Sequence, residues 1–181
     1  MSIFDKNLKL VKPAHLSHIF FGMGCFWGAE RKFWHLDGLY TTAVGYAGGH
    51  ISNPNYENVC SGTTGHAEVV KVIYDEKLVD LNKLLKIVWE SHDPTQLNKQ
   101  GNDIGSQYRS IILTDNKYEL EELKNSKSKF QVQIDKESLG EIKTEIKLLD
   151  TFYLAEDYHQ KYLYKNPNGY CSLKGTGVDY Y

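Results

Sequence analysis

His18-Ile19-Phe20-Phe21-Gly22-Met23-Gly24-Cys25-Phe26-Trp27-Gly28 changes character half-way along. Its first part, His18 to Phe21, is a short apolar run and predicts a strand. The run ends at Gly22-Met23-Gly24, where glycines let the backbone turn sharply. From Cys25 to Leu36 the pattern is helical. Phe26 recurs at Phe33 and Trp27 at Trp34, and Gly38 is placed to stop the helix.

A second strand, Tyr40 to Tyr46, runs into the loop Ala47-Gly48-Gly49. The same order then returns. Ala67 to Tyr74 reads as a buried strand, and Asp80 caps a helix with Leu81, Leu84, Leu85 and Val88 on one face. Tyr108 to Leu113 is the next strand. The stretch from Pro54 through Gly62 to Gly65, and that from Gly101 to Gln107, read as loops. Asp115 opens a charged, exposed helix to about Lys129, and Glu141 to Leu148 alternates like a late strand. Ala155 to Lys165 is a short helix stopped by Asn166-Pro167. Two strand–helix–strand units predict an α+β fold: a two-layer sandwich with a split βαβ, ferredoxin-like core and helices on one face of the sheet. The expectation is a single domain over residues 1–181, with a polar N-terminal extension at 1–16. A long irregular, flexible tail at 166–181 is rich in glycine and tyrosine.

A chain of 181 residues can bury a sizeable core without disulfides. With 41% hydrophobic and 24% charged residues it reads as an ordinary soluble protein. A net charge of -2 provides no electrostatic case for nucleic acid or membrane partners. No apolar run reaches transmembrane length, and Met1 to Pro13 contains no apolar signal core, so the default compartment is the cytoplasm. The 13 tyrosines are mostly half-buried packing residues, with a few available as hydrogen-bond donors. Three cysteines, an odd number, argue against a closed disulfide framework. In a reducing compartment, thiols that pair do so transiently, as catalytic or redox groups.

Cys25 falls where a helix begins. Unpaired N–H groups and partial positive charge there stabilise a thiolate and lower its pKa, and Phe26 and Trp27 can wall an apolar pocket. The bland alternative is a buried core cysteine among aromatics. Glu68 lies near the start of its strand. In an apolar pocket its carboxyl would be a general acid at neutral pH; otherwise it is a solvated charge at a strand end. Cys171, in Asn168-Gly169-Tyr170-Cys171, is either a thiol on an arm that can reach another cysteine or an idle tail residue. Cys60 reads as structural: with His66 it fits no zinc-ligand spacing, so no metal is expected. His92 and His159 read as packed or hydrogen-bonded, Arg109 as half of an ion pair, and Gly45 to Gly49 as a turn without P-loop spacing.

Gly24-Cys25-Phe26-Trp27-Gly28 resembles the active-site signature of the A-type peptide methionine sulfoxide reductases. Six more segments resemble that family in the same order. They are Gly45-Tyr46-Ala47-Gly48-Gly49, Asn53-Pro54-Asn55-Tyr56, Cys60-Ser61-Gly62, Gly65-His66-Ala67-Glu68, Gly105-Ser106-Gln107-Tyr108-Arg109-Ser110 and Tyr158-His159-Gln160-Lys161-Tyr162-Leu163. The likeness runs from Phe20 to Cys171.

The resemblance implies a two-layer α/β fold and reduction of free and protein-bound methionine S-sulfoxide without a cofactor. Under it Cys25 is the nucleophile, Glu68 the acid, and Tyr56 and Tyr108 the donors to the sulfoxide oxygen. Phe26 and Trp27 hold the S-methyl group, and Asp103 positions water or substrate. Cys25 passes through a sulfenic acid to a disulfide with Cys171, which thioredoxin reduces. Many members carry a second recycling cysteine further on. The sequence ends at Tyr181 without one, so direct reduction of the Cys25–Cys171 disulfide is expected, in a protein acting as a monomer. The rival readings are a thiol peroxidase, which needs no acid or aromatic pocket, and a methionine-binding module, which would show no thiol oxidation.

Overall fold

Strand β1 (Ser17–Met23) contains the apolar run and extends it at both ends. Ile19, Phe21 and Met23 join one core cluster, while Phe20 joins another on the opposite face. Burial on both faces is why this strand reads as continuously apolar rather than alternating. The computed structural model describes residues 12–181. Along them follow α1 (Phe26–Arg31), β2 (Leu39–Ala47), α2 (Tyr56–Cys60), β3 (Ala67–Tyr74) and α3 (Leu81–Ser91). Then come β4 (Lys99–Gln100), β5 (Asp103–Ile104), a 3-10 turn (Ser106–Tyr108), β6 (Ser110–Thr114) and α4 (Glu119–Lys136). The last elements are β7 (Glu145–Leu148), β8 (Phe152–Leu154) and α5 (Tyr162–Lys165).

The chain is a mixed α/β protein built on a six-stranded sheet of order β7-β6-β1-β3-β2-β8. Its neighbours are antiparallel except β6 and β7, which run parallel. Ala29 and Phe33, Leu84, Leu85, Val88 and Trp89 of α3, and Leu123, Phe130 and Ile134 of α4 cover one face. Leu149 and Phe152 pack on the other. Among the described residues, no helix is long and apolar enough to cross a membrane.

Several boundaries depart from the sequence pattern, each for a local reason. The helix expected from Cys25 to Leu36 ends at Arg31, and the chain continues in tighter turns, with Phe33, Trp34 and Leu36 each bonding three residues back. The stretch around Pro54, expected as loop, holds α2, capped by the Asn55 side chain accepting from the Asn58 N–H. Asp80 caps α3 as expected, accepting from the Lys83 N–H. Asp115 does not open α4, which begins at Glu119; its carboxylate pairs with His18 at 2.6 Å. The helix expected at Ala155 shrinks to α5, because the preceding turn is pulled to the sheet by the Gln160 side chain. Strands β4, β5 and β8 are too short to show a period.

At the ends, residues 1–11 of the polar extension lie outside the described residues, and Leu16 is already part of the buried core. The tail has no regular secondary structure, yet it is not a free arm. Leu173 and Val178 pack against the main core, Tyr180 is buried in it, and the Tyr180 N–H donates to Glu90 at 2.8 Å.

Candidate active site

The end of β1 delivers the chain to α1 through Gly24, whose φ of 97° is open to glycine and strained for other residues. Cys25 is the residue before the first helical position. Beside β1, β3 alternates: Ala67 and Val69 face the second cluster, so Glu68 faces the helix side with Val70 and Val72. It pairs across the sheet with Tyr46 of β2. There Glu68 is 2% exposed, and among the described residues its carboxyl has one hydrogen bond, from the Phe26 N–H at 3.0 Å.

Burial pushes the Glu68 carboxyl up to about 8; the Phe26 bond opposes this, and the Asp103 charge adds to it. A carboxyl in this state is largely protonated at neutral pH and can donate. The Cys25 thiol departs from the sequence expectation. Burial and the Glu68 charge raise its pKa, and the helix N-terminus does not overcome them. The Trp27 and Gly28 N–H groups act in the lowering direction without reaching the sulfur in hydrogen-bond geometry. In the free protein Cys25 is therefore held as a thiol.

Cys25, Phe26, Trp27, Tyr56, Glu68, Asp103, Tyr108 and Tyr170 line one cavity of about 190 Å³. Tyr56 opens α2, and its backbone N–H is held by Glu156 at 2.8 Å. Tyr108 ends the 3-10 turn. Burial raises the pKa of both phenols, which keeps them as O–H donors. Phe26 is fully buried and Trp27 half-buried.

Asp103 lines the cavity, but both its oxygens are engaged by the tail. It accepts from the Tyr170 hydroxyl at 3.0 Å and from the Ser172 hydroxyl at 2.7 Å. Cys171 lies between those two anchors. A Cβ added at Gly28 would stand 2.8 Å from the Cys171 sulfur, so the thiol rests directly over the first turn of α1. Cys60 is exposed and ends α2. Among the described residues, no group of three or more His, Cys, Asp or Glu is arranged to hold a metal ion.

The chain matches the family model described as peptide methionine sulfoxide reductase over residues 17–178. It belongs to this family. A peptide methionine sulfoxide reductase of Photobacterium profundum is 57% identical over 168 residues, covering 92% of this chain and 80% of the relative. The solved methionine sulfoxide reductase A of Corynebacterium diphtheriae is 41% identical, with a TM-score of 0.84 over 90% of this chain and 81% of that one. Mxr1 of Saccharomyces cerevisiae, solved in complex with Trx2, is 26% identical, with a TM-score of 0.57 over 85% of this chain and 91% of that one. As a member of the family, this reductase is an oxidoreductase acting on methionine sulfoxide.

Tyr170, Glu156 and His159 were not marked as site residues by the sequence pattern. Tyr170 could have been, because it adjoins Cys171. His159 stands in a segment that carries the family resemblance, whereas Glu156 shows no local signal, since it acts on a residue 100 positions away.

Proposed function

We propose that this reductase acts on methionine S-sulfoxide, free or within proteins, with Cys25 as nucleophile and Glu68 as general acid. The observation that carries this is the single cavity in which a thiol, a carboxyl raised to about 8, two phenols and two aromatic walls meet. Phe26 and Trp27 hold the S-methyl group. Tyr56, Tyr108 and Glu68 donate to the sulfoxide oxygen. While Glu68 is neutral, it exerts no charge against ionisation of Cys25.

Cys25 sulfur attacks the substrate sulfur as Glu68 protonates the oxygen. The oxygen then passes from the methionine sulfur to the Cys25 sulfur: the S–O bond to methionine and the new S–S bond both break, methionine leaves, Cys25 becomes a sulfenic acid, and the thiol proton restores Glu68. The Cys171 thiol then condenses with the sulfenic acid, forming a disulfide and releasing water. A dithiol reductant exchanges with that disulfide and is itself oxidised. Thioredoxin fits this last role, and the yeast Mxr1 complex with Trx2 supports it. The cycle runs on thiols without a bound cofactor, in a monomer in the reducing cytoplasm.

In the tail, the stretch from Asn166 to Ser172 is the part that moves, and Asp103 releases Tyr170 and Ser172 as Cys171 closes on Cys25. The core is read as two interleaved split βαβ units, β1-α1-β2 and β3-α3-β6. The sheet order β6-β1-β3-β2 supports that reading.

The test is turnover with the two separated sulfoxide epimers and dithiothreitol. Only the S epimer should be consumed, and Cys25→Ser should abolish its consumption; consumption of the R epimer alone would overturn the assignment. One turnover without reductant should leave Cys25 joined to Cys171 and Cys60 free in peptide mapping. Cys171→Ser should instead accumulate a sulfenic acid that dimedone traps. A bond from Cys25 to Cys60 would remove Cys171 from the mechanism.

A further inference from the structure

Trp27 must present the same edge of its ring to every substrate, and stacking alone does not ensure this. The indole lies on the Tyr162 ring with centroids 3.9 Å apart and planes 15° apart. Such a stack fixes the plane of the ring. It does not fix which edge faces the cavity, because a half-turn about the side-chain bond preserves the plane. A second contact breaks that degeneracy: the indole N–H donates to Nδ1 of His159 at 3.0 Å.

The His159 ring is 1% exposed and sits against three walls of the cavity. Its centroid is 5.0 Å from Phe26, 4.6 Å from Tyr56 and 5.7 Å from Trp27. To accept from Trp27, Nδ1 must carry a lone pair and Nε2 the proton. The surroundings favour that neutral form. Burial holds the imidazole below its usual pKa and Lys165 acts in the same direction, while Glu156, 3.9 Å from Nε2, opposes them.

The backbone beneath His159 is tied down on both sides. The His159 N–H bonds the Glu156 carbonyl at 2.9 Å. Next along the chain, the Gln160 amide grips both the N–H and the carbonyl of Val44 at 2.8 Å each. Beyond it, Lys161 reaches the Glu30 carboxylate of α1 at 2.8 Å, with its own φ at 55°. These bonds hold the backbone around the imidazole, and nothing in the thiol chemistry uses the ring.

We propose that His159 is a positioning residue that fixes the rotation of Trp27 and thereby the shape of the pocket for the S-methyl group. This rests on the function proposed above. His159 acts on binding and leaves the reaction of Cys25 and Glu68 unaltered.

The test compares two variants. His159→Asn retains an acceptor two bonds from Cβ, where Nδ1 now stands; His159→Leu retains bulk and loses the acceptor. The first readout is the indole N–H signal of Trp27 in the proton–nitrogen spectrum, assigned by its loss in Trp27→Phe. It should move upfield in His159→Leu and stay downfield in His159→Asn. The second is the reduction step in single turnover. His159→Leu should raise the half-saturating sulfoxide concentration about tenfold, the scale of one lost hydrogen bond, with the saturated rate within about threefold. His159→Asn should recover most of that loss.

An unmoved indole signal in His159→Leu would overturn the proposal. So would a loss confined to the saturated rate, or unfolding of both variants, which would make His159 purely structural. If the native protein reduced no sulfoxide, the proposed function would fail, and the indole signal would still decide whether His159 holds Trp27.

Discussion

Glu30 on α1 and Glu68 on β3 are buried to nearly the same depth, at 0% and 2% exposure, and the protein surrounds them in opposite ways. Around Glu30 every oxygen is occupied. Oε1 accepts from the Lys161 ammonium and from the Thr42 hydroxyl, both at 2.8 Å, and Oε2 accepts from the Lys161 backbone N–H at 2.9 Å. Lys161 also donates to the Thr42 carbonyl and hydroxyl. Around Glu68, among the described residues, there is one backbone N–H and no cation, and the neighbouring charge is that of Asp103. Burial alone does not make a general acid. A carboxyl becomes one when it is desolvated and left without a counter-charge, because only then is the neutral form favoured near pH 7. The saturated glutamate ties α1 to the loop carrying His159, and the unsaturated one is free to move a proton.

The sharpest way to break this comparison is to remove each carboxylate in turn. Glu68→Gln should lose about 10²–10⁴-fold in the rate of sulfoxide reduction, the scale of general acid catalysis, while Cys25 still alkylates and the fold persists. A parent-like rate would make Glu68 a packing residue. Glu30→Gln should act on stability instead, by about 3–5 kcal/mol in urea unfolding, because it leaves the Lys161 ammonium buried without its partner. Its rate per folded molecule should fall far less than that of Glu68→Gln. An unchanged unfolding midpoint with a collapsed rate would reverse the two roles.

A further effect follows from pH. The folded pKa of Glu68, about 8, lies above its ordinary value of 4.5. Its contribution to stability is therefore fully present below about 4.5 and is lost as pH rises through about 8. Glu68→Gln removes that loss. The stability of the variant relative to the native protein should thus increase with pH across this window and level off above it, as read by unfolding at a series of pH values. In the native protein, single-turnover reduction should lose its acid over the upper end of the same window. A relative stability independent of pH would show that Glu68 is solvated.

The parts legible in the sequence were those set within a few residues. The turn from β1 into α1, the bounds of β3 at Ala67 and Tyr74, and the Asp80 cap each follow from neighbours in the chain. The cavity residues Cys25, Glu68, Tyr56, Tyr108, Phe26, Trp27 and Asp103 were legible through family resemblance, and the fold does bring them together. Glu30 was not. On α1 it looks like one more polar helix residue, and its partner Lys161 is 131 positions away. Asp103 was expected to face water or substrate, but its oxygens are taken by Tyr170 and Ser172, which no local pattern connects to it.

Sequence by itself determined where Cys25 falls on its helix, which segments become the central strands, and which family the chain belongs to. The first two follow from backbone preference and side-chain periodicity, which act over one or two turns, and the family from the resemblance of its motifs. Only the tertiary structure decided the protonation of the site. The helix N-terminus alone would lower the Cys25 pKa, yet burial and Glu68 raise it. Desolvation depends on what distant elements pack over a group, and that packing is absent from any window of sequence read along the chain.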